Sequence, residues 1–106
     1  MDPKKLEKML ADGHDSAMLR FGLGKAYFDA GQWQEAQQHL HVAISLQADY
    51  SAAWQLLGQA LHASGSLDEA LVAFDRGMAC AQNNGDQQTF KVMQVLKKRV
   101  LKEQAN

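Results

Sequence analysis

The fold can be read from SAAWQLLGQALHASGSLDEALVAF, residues 51–74, because AMLRFGLGKAYFDAGQWQEAQQHL, residues 17–40, carries the same pattern 34 positions earlier. Laid over one another as Ala17–Tyr50 and Ser51–Asn84, the two stretches bring Leu23-Gly24 onto Leu57-Gly58, Gly31 onto Gly65 and Glu35-Ala36 onto Glu69-Ala70. Leu40 falls on Phe74 and Ala43 on Gly77. A period of this length signals a stack of supersecondary units, each too small to bury its own apolar face. Each unit reads as a helix pair. Apolar residues recur at three and four in the first helices, near 16–30 (Leu19, Leu23, Tyr27) and 50–63 (Trp54, Leu57, Leu61). Gly31 and Gly65 end them, since glycine alone takes the left-handed cap conformation without steric cost. The second helices run near 33–46 and 67–81; Ser66 and Glu69 are expected to form a capping box, and Asp49 to cap the helix from residue 50.

These residues resemble the tetratricopeptide repeats. The second unit carries Trp54, Leu57-Gly58, Ala70 and Phe74, and the first carries Leu23-Gly24, Tyr27, Ala36 and Leu40. Small residues at 24, 58, 36 and 70 let paired helices approach closely. The departures are Arg20 at the Trp position, Leu61 at the Tyr position, and Ala48 and Gln82 where the family has proline. The resemblance implies an all-α, right-handed α-solenoid of antiparallel helix pairs.

Carrying the period outward completes a single domain over residues 1–106. Residues 3–12 then form an N-terminal half-repeat helix, with Leu6, Met9 and Leu10 at the places of Leu40, Ala43 and Ile44. Repeats follow at 17–50 and 51–84. Residues 86–104 make a long basic capping helix with Phe90, Met93, Leu96 and Val100 on its apolar stripe. About six helices, stacked as three pairs, meet the minimum such an array needs.

Composition sets limits on function. Hydrophobic residues are 46% and charged residues 22% of the 106, the balance of a folded globular domain. The single Cys80 excludes an internal disulfide and suits a reducing, cytoplasmic location; no run is long enough to span a bilayer. Net charge is −1, yet residues 31–86 hold one basic and six acidic side chains while 87–106 hold five basic and one acidic. That basic end reads as a solvated face and not as a nucleic-acid surface, since only Phe90 is interleaved with the charges.

The side chains suited to chemistry are the four histidines and Cys80. His39 and His41, two apart, point about 200° from one another on a helix and cannot share a metal ion. His14 lies in a turn and His62 near a helix end; Cys80 reads as a small packing residue. With no nucleophile motif, phosphate loop or metal pair in the sequence, the expectation is no enzyme, no catalytic residue, no metal and no cofactor.

In the family, first helices line a concave groove that accepts a peptide or helix of a partner. By that resemblance the groove residues are Met18, Phe21, Lys25 and Phe28 from the first repeat, Gln55, Gln59 and His62 from the second, and Met93 from the last helix. Phe21 and Phe28 are the expected aromatic anchors, with packing of both on the N-terminal helix as the alternative. The function implied is a protein-interaction module or adaptor with a protein or peptide partner; the alternative is a homodimer pairing through the apolar groove end. A clamp for terminal carboxylates is not expected, because Asn occurs only at 83, 84 and 106 and Lys25 is the one basic groove residue.

Overall fold

Six helices follow one another in a computed structural model that describes residues 2–106: α1 (Pro3–Ala11), α2 (Ala17–Asp29), α3 (Trp33–Leu46), α4 (Ser51–Ala63), α5 (Leu67–Asn83) and α6 (Gln87–Ala105). Each helix packs on its neighbour in sequence, and α2 touches α4 as α4 touches α6. The helices therefore form two layers, α2–α4–α6 on one side with α3 and α5 behind. The smallest dimension of the molecule, 19 Å, is that of two helix layers. This is an all-α solenoid.

Close approach within each pair depends on the small residues. An added Cβ at Gly24 would fall 2.6 Å from Leu40, and one at Gly58 2.4 Å from Phe74. Leu23, Leu40, Leu57 and Phe74 are fully or almost fully buried, and Ala36 and Ala70 lie beneath them with no exposure. A main apolar cluster runs from Ala36 to Val100, and a smaller one of Leu6, Leu19 and Leu23 joins α1 to α2. Gly31 and Gly65 take φ of 75° and 86°, the left-handed conformation that ends α2 and α4.

Two expected caps are absent. Neither Ser66 nor Tyr50, which takes the cap position expected of Asp49, makes a side-chain hydrogen bond to its helix. Side-chain capping occurs at Asp2, Ser16 and Asp86, whose side chains accept from the backbone N–H groups of Lys4, Leu19 and Thr89. The 47–50 link, which lacks the family's proline, is pinned from outside: Trp54 Nε1 donates to the Ala48 carbonyl at 2.9 Å, the Cys80 thiol approaches the same oxygen at 3.5 Å, and Asn84 Nδ2 donates to the Asp49 carbonyl at 3.0 Å. Cys80 thus packs against a loop, and burial pushes its thiol pKa up.

Arg20, at the family's Trp position, uses its planar fork. It grips both carboxylate oxygens of Asp15, at 2.9 and 3.1 Å, and donates to His39 Nδ1 at 3.2 Å. The His39 ring stacks on Tyr27, whose hydroxyl donates to Glu7, so one polar cluster ties α1, α2 and α3. Burial first, and the Arg20 charge second, hold His39 below the usual imidazole range. The unfolded chain gains its proton near pH ~6.5 while the folded chain resists it, so this contribution is complete above that pH and declines as pH falls toward the folded pKa. His39→Gln is expected to flatten the fall in melting temperature between about pH 7.5 and pH 5.5; an unchanged slope would assign the dependence to other groups.

Candidate interaction surface

Side chains from three helices that are distant in sequence meet on the α2–α4–α6 face. Phe28 of α2, Gln59, His62 and Ala63 of α4, and Leu96, Arg99 and Glu103 of α6 line one cleft of about 430 Å³. Regular packing aims them there, since Gln59 and His62 sit three apart on α4, beside the buried Leu57 and Leu61 stripe. His62 Nε2 lies 2.8 Å from Glu103 Oε1, so the only carboxylate of α6 is already engaged across the cleft. Gln55 donates to Gln59 at 3.4 Å along α4 and stands beside the cleft without lining it.

Met18, Phe21 and Lys25 face elsewhere. With Leu6 and Met9 of α1 and Leu19, Gly22 and Ala26 of α2 they line a second, more apolar cleft of about 490 Å³ at the N-terminal end of the stack. Met18 there is 77% exposed, and Lys25 pairs with Asp29 at 3.2 Å. The expected single groove is therefore two clefts, one end-on and one lateral.

Phe21 and Phe28 match neither alternative in full. Phe21 stacks on Tyr50 with centroids 5.2 Å apart, and Phe28 lies against Trp33 at 5.1 Å; both are half-buried against the main core and not against α1. Met93 requires correction. It is fully buried, with Sδ beside Gly77, and cannot touch a partner. The reason is register: α5 runs three residues longer than α3, and the turn after it is one residue shorter than that after α3, so α6 starts 36 residues after α4. Carrying the 34-residue period forward aligned Met93 with Gln59, whereas its structural counterpart is Leu57. Leu96, Arg99 and Glu103 take the lateral positions instead, and the length of the α5 pattern was the signal that could have located them.

The sequence profile of the family described as tetratricopeptide repeat matches residues 27–92. The chain belongs to that family. It is 50% identical over 90 residues to the TPR repeat-containing protein PA0015 of Pseudomonas aeruginosa, covering 85% of this chain and 86% of that protein. It also resembles the solution structure of protein BPP2914 from Bordetella parapertussis, with a TM-score of 0.87 and 41% identity over 99% of this chain and 91% of that one. Tetratricopeptide repeats generally mediate protein–protein interaction and are generally non-enzymatic scaffolds. No helix among the described residues is long and apolar enough to cross a membrane.

Proposed function

We propose that this chain is an adaptor that holds a segment of a partner protein in the lateral cleft, and that it does no chemistry of its own. The observation that supports this reading most is the convergence of Phe28, Gln59, His62, Leu96 and Arg99 from three helices on one accessible cleft. Its mixture of an aromatic anchor, an aliphatic wall and polar rim groups is that of a protein-interaction patch. The repeat boundaries at 17–50 and 51–84, flanked by half-repeat helices at 3–12 and 86–104, belong to the same proposal, as does work in the cytoplasm, where Cys80 stays reduced.

Capture of a partner with the purified chain, repeated with Gln59→Trp, tests the cleft. Tryptophan there fills the opening from a half-buried position without removing any core atom, so capture is expected to fall while the melting temperature holds. Unchanged capture would remove the cleft from the proposal. Phe28→Ala is expected to cost about 2 kcal/mol of binding and, because the ring also packs against Trp33 and the main core, to lower the melting temperature as well.

A second reading, self-association through the end-on cleft, is favoured by the exposed Met18 and by the apolar lining that Leu6, Met9, Leu19 and Phe21 supply. It requires a mass that doubles with concentration in light scattering and returns to that of a monomer in Met18→Lys. A monomer at all concentrations would dismiss it.

A further inference from the structure

The helices of the α2–α4–α6 face and the two packed behind them differ in charge, while α1 is itself basic with three Lys against Glu7. Helices α2, α4 and α6 hold seven Lys and Arg side chains against two carboxylates, whereas α3 and α5 hold four carboxylates against one Arg. A net charge of −1 hides this separation. The excess is concentrated on α6, where Lys97 pairs with Asp75 at 2.6 Å while Lys91, Lys98, Arg99 and Lys102 are exposed and make no ion pair among the described residues. Arg99 belongs to the lateral cleft, and Lys102 follows it three residues on, on the same side of the helix.

Solubility alone does not account for such a helix. A terminal helix that only shields a core does so with charges of both signs and strong helix formers. Here Val92 and Val95 are 41% and 51% exposed among the unpaired cations, although β-branched residues lower helix propensity. Exposed valines between like charges suit a surface that is covered part of the time by apolar groups bearing the opposite charge.

We propose that the segment held in the lateral cleft is an internal, acidic and apolar stretch of a partner protein, in which Asp or Glu alternates with Leu or Phe. Its apolar side chains lie toward Phe28, Leu96 and Val92, and its carboxylates toward Arg99 and, at the rim, Lys102, with Lys98 farther round the exposed side of α6. Charge complementarity selects this occupant: on α6, Glu103, which is hydrogen-bonded to His62, is the one carboxylate against five Lys and Arg. A nucleic acid is disfavoured because the one aromatic side chain of α6, Phe90, is half-buried and offers no stacking platform. A membrane surface is disfavoured because Leu101 lies about 180° around the helix from Val92, so no single apolar stripe faces outward. The inference rests on the lateral-cleft reading given above.

The test uses the full chain and a fluorescent peptide, blocked at both ends, in which Asp-Leu-Glu-Phe is repeated three times. The control peptide has Asn and Gln in place of Asp and Glu. We expect the acidic peptide to bind about tenfold more tightly, with the advantage shrinking as salt rises from roughly 50 to 200 mM. The triple variant Lys98→Gln, Arg99→Gln, Lys102→Gln should lower acidic-peptide affinity by about tenfold and leave the control unchanged. Gln59→Trp should weaken both peptides. Equal affinities for the two peptides would overturn the acidic preference while leaving the cleft intact. Acidic binding lost in the triple variant but indifferent to Gln59→Trp would place the cations outside the cleft and overturn the reading beneath. Failure of both peptides to bind, or tighter binding of duplex DNA or anionic phospholipid vesicles that the triple variant abolishes, would overturn the proposal itself.

Discussion

Truncation after Asn84 should leave a chain that no longer melts cooperatively near the full-length temperature. Helix α6 buries Met93 and Val100 completely and Phe90 and Leu96 in part, and in leaving it uncovers Gly77, Trp54 and the main cluster around them. Complete burial of two such side chains contributes about 1.5–3 kcal/mol each, and the half-buried pair adds to that. The sum is comparable with the roughly 5–15 kcal/mol that separates a small domain from its unfolded state. Loss of helical circular dichroism at 37 °C, or dye binding typical of an exposed core, is the expected result. A truncated chain that stayed soluble with the full-length melting temperature would show that α6 has no capping role.

How much of this was legible in the sequence differs from residue to residue. The pairing of α2 with α3 and of α4 with α5 was readable, because Gly24 opposite Leu40 and Gly58 opposite Phe74 is a local complementarity of size repeated in register. The position of α6 was not, since the period that fixes the earlier helices is broken by the longer α5 and its shorter turn, and Met93 consequently moved from an expected surface to the core. The division of the groove into two clefts was also hidden. Phe21 and Phe28 share one face of α2 by spacing alone, and only the placement of Tyr50 and Trp33 sends one ring toward the N-terminal end and the other toward α6. The expected caps at Asp49 and Ser66 failed for a related reason: packing and backbone turns hold those helix starts without side-chain help.

Gly58→Ala should destabilise the protein, although glycine to alanine within a helix ordinarily stabilises by about 1 kcal/mol. The new methyl would sit 2.4 Å from Phe74 Cε1, 2.7 Å from Cδ1 and 2.8 Å from Cζ, and the Phe74 ring is fully buried with no free side to yield toward. Forcing a methyl into such a contact costs about 1–3 kcal/mol in shifted helices or an off-rotamer ring, which outweighs the gain in helix propensity. Gly22→Ala provides the internal comparison. There the methyl would meet Leu6 Cδ1 at 3.4 Å, an ordinary contact, and the same substitution should be neutral or stabilising by up to ~1 kcal/mol. Urea unfolding midpoints should therefore move in opposite directions or differ by at least the cost of the clash. Adding Phe74→Leu to Gly58→Ala should recover part of the loss, a coupling that independent sites would not show. Equal midpoints for the two glycine variants would contradict the close approach of α4 and α5.

The connectivity of the stack also bears on how the chain reaches this state. Every pair of helices in contact is adjacent in sequence or separated by a single helix, and α3 never meets α5. No contact has to wait for the far end of the polypeptide. Loop-closure entropy is consequently small at each step, and topologies of this kind fold on the microsecond to millisecond scale. Nucleation can begin at either helix pair and spread to its neighbours, so a chain leaving the ribosome can assemble its helices in the order in which they are made.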